Sequence, residues 1–185
     1  GSEMCIRDSS WGKKRCHRPE RQRWRLLREA IAIVNLFVGK GQEVVSTKGK
    51  RPDWNKSYKT RGSALRPNLP LAILVDGKSA SASEIVAGTL QDLDRAVVVG
   101  EESFGKGLVQ QTKKLAYGTR MKVTVAKYYT PSGRCVQRLD YSHRDGEGDV
   151  HAMADSALKT FATRNGREVL DCLLYTSPSP RDSDS

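Results

Sequence analysis

The sequence predicts an α/β fold built on a strand–helix–strand unit. Residues 71–75 form a short apolar run that ends at Asp76-Gly77, a pattern typical of a buried strand. Residues 81–93 then carry apolar side chains at helical spacing, and residues 95–100 return to a strand pattern. Two strands joined by one crossover helix are predicted to be parallel neighbours, because an antiparallel pair needs only a short turn.

Functional side chains are expected at the carboxyl ends of these two strands. Ser79, Ser81 and Ser83 follow the first strand, and Lys106 follows the second between two glycines. A serine at a helix start lies beside free backbone N–H groups, which stabilise an oxyanion when the serine attacks a carbonyl. Lysine acts as the base only when burial lowers its pKa from about 10.4 to roughly 7–8. Ser81-x-x-Glu84 is also a capping box, so a purely structural N-cap is the competing interpretation.

Two elements and a connection precede this unit. Residues 26–38 are rich in apolar side chains and end at Gly39-Lys40-Gly41, which predicts a helix packed on the sheet. Residues 42–47 favour a strand, and residues 48–68 favour an exposed connection because they are polar and contain prolines.

Two hairpins are predicted after the unit. Residues 107–116 and 119–129 alternate between apolar and polar side chains, which predicts a β-hairpin beside the site. Asn165-Gly166 is the turn sequence of a second tight hairpin. The polar stretch 137–150 contains acids and a histidine, but nothing in its spacing imposes a metal site, so a solvated loop is predicted.

One segment carries a family resemblance. Residues 79–110, SASASEIVAGTLQDLDRAVVVGEESFGKGLVQ, closely resemble the catalytic core of the carboxy-terminal processing peptidases, also called tail-specific proteases. The resemblance extends over about residues 26–171 and includes KYYTPSGR at 127–134. It implies a crotonase-like (ClpP/crotonase-type) βαβ core with an added β-hairpin, here truncated.

The resemblance also implies roles for individual residues. The nucleophile of that family is the middle serine of S-A-S-A-S, which is Ser81 here. The general base is the lysine of F-G-K-G, which is Lys106, and Gln110 matches the glutamine that orients it in some members. The backbone N–H of Ala82 would be one oxyanion donor, and Asp92 matches an aspartate whose role is structural support.

The activity implied by the resemblance is that of a bacterial serine endopeptidase in the periplasm or cell envelope. It would cleave polypeptides with accessible C-terminal tails through a Ser-Lys dyad and an acyl-enzyme, without a cofactor, a metal or a nucleic-acid partner. Members of the family often carry a PDZ domain, and no such segment is recognised in this sequence.

The ends of the chain are predicted to be foreign to this core. Back-translation of residues 1–9 gives DNA whose reverse complement encodes CLLYTSPS, the sequence of residues 172–179. We therefore predict adapter-derived tails at 1–9 and 172–185, an out-of-frame segment at 10–25 and a partial peptidase core at 26–171. When the DNA that encodes residues 10–25 is read one base along, it encodes a strand and a Gly-rich loop, and that loop would supply a second oxyanion N–H. On this interpretation the chain as written lacks one core strand.

Charge and cysteine content narrow the alternatives. The formal net charge is +11, with basic residues crowded into positions 13–28. A nucleic-acid-binding module would explain that charge, but its salt-dependent binding should vanish when the first 25 residues are removed. Of the four cysteines only Cys135 lies in the predicted core, which excludes a disulfide framework there. A crotonase-like non-peptidase, or an inactive fragment of the same fold, stays the main alternative, because fold does not determine function.

Overall fold

A computed structural model of the protein describes residues 4–7, 19–144, 150–152 and 158–171. The described part contains two α-helices, eleven strands and two short 3₁₀ turns. The elements are β1 Met4–Arg7, α1 Pro19–Phe37, β2 Glu43–Gly49, β3 Lys56–Lys59, β4 Leu71–Val75, α2 Ala82–Asp92, β5 Val97–Gly100, β6 Leu108–Lys114, β7 Arg120–Tyr129, β8 Leu139–Arg144, β9 Val150–Ala152, β10 Thr160–Ala162 and β11 Glu168–Leu170. The 3₁₀ turns are Pro52–Trp54 and Ala116–Gly118.

The first sheet is parallel and has the strand order β1-β4-β5. Helix α2 connects β4 to β5, and the pairing of these strands runs from Ala72 opposite Val97 to Val75 opposite Gly100. The predicted strand–helix–strand unit is therefore confirmed. It places the end of β4 and the end of β5 side by side at one edge of the sheet.

Strand β1 corrects one expectation from the sequence. It pairs with β4 from Met4 opposite Leu71 to Arg7 opposite Leu74, although it lies in the segment assigned to an adapter-derived tail. The expected gap beside β4 is thus filled in the described structure. Main-chain N–H and C=O groups on an open strand edge accept a partner strand with little regard to its side chains, and sequence patterns do not reveal such pairing. The adapter origin of the tail stays a prediction.

The core lies between the parallel sheet, α1, α2 and β2. Alternate residues of β4 are buried, as period two requires, and they face the apolar sides of the two helices. The buried core residues are Leu27, Ala30, Val34, Phe37, Val38, Val44, Val45, Leu71, Ile73, Val75, Ile85, Val86, Ala87, Leu90, Ala96 and Val98. Helix α1 begins at Pro19 rather than at the predicted residue 26, because proline fits the first turn and the following residues are good helix formers.

The second sheet is antiparallel and has the order β3-β2-β7-β6. It confirms the strand predicted near residues 42–47 and the predicted hairpin of β6 and β7. The residues of β3 were predicted to belong to an exposed connection, because their sequence Lys-Ser-Tyr-Lys is polar. That prediction is wrong, since these residues pair with β2 and form a strand. The Asn-Gly hairpin is also confirmed, as β10 pairs antiparallel with β11 and Gly166 has φ of 83°. None of the helices among the described residues is long and apolar enough to cross a membrane.

Candidate active site

Ser81 lies at a strained turn between β4 and α2. It is the N-cap residue of the helix, with φ of 58° and ψ of −107°. A positive φ is uncommon outside glycine and costs on the order of 1–3 kcal/mol, so surrounding contacts must hold it. One such contact is the Ser81 N–H, which donates to Glu84 Oε2 at 2.7 Å. The serine is half-buried at the start of the helix, as the sequence predicted.

The backbone beside Ser81 offers a hydrogen-bond donor. Ala82 is the first residue of α2, where N–H groups have no partner in the preceding turn. Within residues 19–144, no group accepts a hydrogen bond from the Ala82 N–H. This donor lies at the positive end of the helix dipole, which suits a developing negative charge.

The loop after β5 leaves the side chain of Lys106 exposed. Ser103, Gly105 and Gly107 are buried, whereas Phe104 and Lys106 are exposed. Both glycines are packed against the segment that contains Gln137 and Arg138, and the lysine side chain between them lies toward solvent. Among the described residues, none binds the Lys106 ammonium. The burial that a lysine base needs is therefore not present in this state of the chain.

Glu84 joins the serine turn to the lysine loop. Its side chain is fully buried, and each carboxylate oxygen accepts two hydrogen bonds. Oε1 accepts from Ser103 Oγ and the Gly105 N–H, both at 2.7 Å. Oε2 accepts from the Ser81 N–H at 2.7 Å and the Lys106 N–H at 2.9 Å. One oxygen atom thus holds the backbones of both predicted catalytic residues.

Burial and hydrogen bonding act in opposite directions on Glu84. Burial raises the pKa of the Glu84 carboxyl above its ordinary value of 4.5, while the four donors lower it. Burial is the larger effect, so the net direction is upward. The four donors nevertheless fit a carboxylate, which only accepts hydrogen bonds.

Main-chain bonds add to this connection between the two loops. The Phe104 N–H donates to the Ser79 carbonyl at 2.9 Å, and the Glu101 N–H donates to the Val75 carbonyl at 3.1 Å. Ser79 is fully buried, and its hydroxyl accepts from the Asp76 N–H at 3.1 Å. The turn that carries the predicted nucleophile is therefore held along its whole length.

The lysine loop is held from its other side by the segment after β7. The Gly107 N–H donates to Gln137 Oε1 at 2.9 Å, and the Arg138 N–H donates to the Gly105 carbonyl at 3.1 Å. A Cβ at Gly105 would lie 2.4 Å from the Arg138 Cβ, and one at Gly107 would lie 2.7 Å from the Gln137 backbone nitrogen. These close approaches explain why glycine flanks Lys106 on both sides.

The other two predicted site residues lie on β6 and at the end of α2. Gln110 is half-buried on β6 opposite Thr124, just after a register shift between Val109 and Gln110. Asp92 ends α2, about 15 Å along the helix axis from Ala82. The structure therefore groups Ser81, Ala82 and the Lys106 backbone, and it places Asp92 outside that group.

Asp92 forms a buried ion pair with Arg134. Their side chains are 0% and 1% exposed, and Arg134 Nη2 lies 2.7 Å from Asp92 Oδ1. Asp92 Oδ2 also accepts from the Ser132 N–H at 3.0 Å, and Arg134 Nη2 donates to Gln91 Oε1 at 2.6 Å. This pair fastens the end of α2 to the Thr-Pro-Ser-Gly-Arg turn.

Sequence reasoning missed the long-range contacts of Glu84 and the contact made by Gln137. The Ser81-x-x-Glu84 pattern indicated only the local bond of the capping box, and the contacts of Glu84 with Ser103, Gly105 and Lys106 span 19 to 22 residues. Gln137 carried no signal at all. No group of acids, cysteines or histidines within the described ranges could hold a metal ion.

Comparison with known proteins identifies the family. The profile of Peptidase family S41 matches residues 26–141, which is more than half of the chain. The chain belongs to Peptidase family S41. The resemblance to carboxy-terminal processing peptidases is thereby confirmed, and the fold is the α/β fold of this family.

Similarity to individual proteins supports this family assignment. The chain is 44% identical over 114 residues to a carboxy-terminal-processing protease of Bartonella bacilliformis, covering 62% of this chain and 26% of that protein. It is also 44% identical over 114 residues to a carboxyl-terminal-processing protease of Picosynechococcus, covering 62% of this chain and 27% of that protein. A solved photosystem II D1 C-terminal processing protease superposes with a TM-score of 0.55 at 33% identity, covering 60% of this chain and 28% of that one. The chain therefore spans about a quarter of the length of these relatives.

Proposed function

We propose that this chain is the core of a serine endopeptidase that cleaves polypeptides near their C-terminal tails. One observation carries the proposal: Glu84 Oε2 accepts hydrogen bonds from the backbones of both Ser81 and Lys106. A single buried acceptor thus brings a strained serine and a lysine to neighbouring positions. We also assign the fold to the crotonase-like (ClpP/crotonase-type) group, on the strength of its βαβ unit and added hairpin.

In the proposed reaction, Ser81 Oγ attacks the scissile carbonyl while neutral Lys106 takes the hydroxyl proton. Lys106 then gives that proton to the leaving amine, and water hydrolyses the acyl-enzyme. The Ala82 N–H stabilises the oxyanion, and Gln110 orients the lysine. Because Lys106 is exposed in the described state, a bound polypeptide or a further part of the protein must exclude water from it during the reaction.

The edge of β6 suits an extended substrate. In the second sheet of the described chain β6 pairs only with β7, and it begins two residues after Lys106. A polypeptide tail that adds to this edge would form main-chain hydrogen bonds independent of its sequence. Proteins with accessible tails in the periplasm or cell envelope are the substrates we propose.

Peptide cleavage tests this function. The protein with residues 10–25 read in the alternative frame is incubated with a fluorescent polypeptide that ends in an apolar tail. We expect Ser81→Ala and Lys106→Ala to abolish cleavage, because each removes a reacting group. The matched controls are Ser83→Ala, in the same first helical turn, and Lys78→Ala, an exposed lysine of the neighbouring turn. Unchanged cleavage by Ser81→Ala or Lys106→Ala would reject the dyad.

The exposure of Lys106 favours a second candidate, a crotonase-like protein without peptidase activity. Such a protein would use the Ala82 N–H to polarise a thioester carbonyl and would not need the lysine. Turnover of an acyl-thioester by the Lys106→Ala variant, together with no peptide cleavage by the unaltered protein, would support this candidate.

A further inference from the structure

The end of the β6–β7 hairpin exposes three large apolar side chains. We call residues 113–122 the hairpin tip. Leu115 is 50% exposed, Tyr117 101% and Met121 43%. Tyr117 lies in the Ala116–Gly118 turn with φ of 55°, so the turn projects its ring away from the protein. Isolated apolar side chains are common on surfaces, but a cluster at a projecting turn indicates a contact surface.

The same tip is strongly basic. It carries Lys113, Lys114, Arg120 and Lys122, and no acidic residue occurs anywhere between Glu102 and Asp140. In the part of the chain that the structure describes, no carboxylate forms an ion pair with any of these four cations. Their charge is therefore not neutralised by the surrounding described residues.

The strand register places like charges together. Lys114 pairs directly with Arg120, and Lys122 pairs with Thr112 two positions further along. Side chains of paired residues share a face of the ribbon, so Lys114, Arg120 and Lys122 lie on one side. Like charges opposite each other destabilise a hairpin, and an anionic surface placed against them would remove that repulsion.

We propose that the hairpin tip docks onto an anionic lipid surface. The apolar side chains at the turn enter the boundary between head groups and acyl chains, and the basic side chains behind them contact lipid phosphates. Tyr117 has the apolar ring and polar end that suit this boundary. Strand β6 is about 20 Å long, so docking would hold Lys106 roughly that far above the membrane. This inference does not depend on the proposed peptidase reaction.

A nucleic acid or an acidic protein could also attract the four cations, but the apolar turn distinguishes these partners from lipid. Phosphate backbones are bound by charge, and that binding would not change when Leu115 and Met121 become polar. Binding to an anionic lipid surface is strengthened both by basic side chains and by insertion of apolar side chains. Substitution of the basic side chains is therefore expected to weaken binding to any of these partners, whereas substitution of the apolar side chains is expected to weaken binding to lipid alone.

Vesicle sedimentation of the whole 185-residue chain tests the proposal. The vesicles contain phosphatidylcholine alone or with about one third phosphatidylglycerol, and binding is measured at two salt concentrations. The charge variant is K113Q/K114Q/R120Q/K122Q. The apolar variant is L115S/Y117S/M121S. The control variant, K40Q/K50Q/K59Q/R61Q, removes the same charge from exposed positions away from the tip.

We expect the charge variant to bind anionic vesicles on the order of 600-fold more weakly, since each of the four basic residues near such a surface contributes roughly fivefold. The control variant should lose much less, although it has the same net charge. The apolar variant should bind about tenfold more weakly to vesicles while binding heparin, a soluble polyanion, as the unaltered chain does.

Two results would overturn the proposal. Equal losses in the charge and control variants would show that net charge alone, including the basic stretch at residues 13–28, drives binding. Full vesicle binding by the apolar variant would show that the tip does not insert and that it binds polyanions in general. Circular dichroism of each variant verifies that the exposed substitutions leave the fold intact.

Discussion

Replacing Glu84 with glutamine should disrupt the connection between the serine turn and the lysine loop. The substitution keeps the size of the side chain but exchanges one acceptor oxygen for an NH₂ group. Each oxygen of Glu84 accepts two hydrogen bonds, one pair from Ser103 and Gly105 and the other from Ser81 and Lys106. With the amide NH₂ toward Ser81 and Lys106, two N–H donors lose their acceptor. With the NH₂ toward Ser103 and Gly105, only the Gly105 N–H does, because the Ser103 hydroxyl can rotate and accept.

The number of donors sets the size of the expected effect. A buried donor that loses its acceptor costs about 1–3 kcal/mol, and the amide adopts the orientation that leaves one such donor, so we expect a loss of about 1–3 kcal/mol. The free energy of unfolding of a small domain is about 5–15 kcal/mol, so this loss is a substantial part of it. Because Ser81 depends on this carboxylate for its positive φ, we expect the local turn to relax as well.

Urea unfolding followed by circular dichroism measures this effect. The matched control is Glu101→Gln, which makes the same chemical change at an exposed position of the same loop. We expect Glu101→Gln to change the free energy of unfolding by less than about 0.5 kcal/mol. A loss below about 1 kcal/mol for Glu84→Gln would refute the reasoning, since it would mean that the four donors find other acceptors.

Three further predictions use the same measurement. Burial raises the pKa of Glu84 in the folded state, so its protonation favours folding below its ordinary value of 4.5, and this contribution declines as pH rises through the folded pKa. The stability difference between the unaltered chain and Glu84→Gln should therefore shrink from pH 4 to pH 7, and a growing difference would contradict the upward shift. Arg134→Met should cost about 3–5 kcal/mol because it leaves the Asp92 charge buried, and adding Asp92→Asn should recover part of that loss. Gly107→Ala should cost about 1–3 kcal/mol because its Cβ would meet a backbone nitrogen at 2.7 Å, whereas Gly39→Ala, which meets nothing within 4 Å, should be nearly neutral.

Local patterns were enough for the βαβ unit, the Asn-Gly hairpin and the family. The period of two in β4 and the helical spacing in α2 predicted a parallel βαβ unit, and Asn165-Gly166 predicted its hairpin. The motifs around Ser81 and Lys106 predicted the family, which the profile match over residues 26–141 confirmed. These features depend on neighbouring residues, where side-chain period and turn chemistry act directly.

The surroundings of the catalytic candidates depended on tertiary structure. The sequence left the exposure of Lys106 open, and the structure buries the two flanking glycines against Glu84, Gln137 and Arg138 while the lysine side chain is exposed. The pairing of β1 with β4 likewise had no counterpart in any sequence pattern. The sequence shows which functional groups are present. The order of the strands and the conformation of the loops decide which of these groups come into contact when they are about 20 or more residues apart in the chain. For this protein the sequence by itself determined the βαβ unit, the two hairpins after it and the candidate chemistry. Only the tertiary structure decided how the serine and the lysine are held, because a buried carboxylate has to be satisfied by whichever donors the fold brings to it.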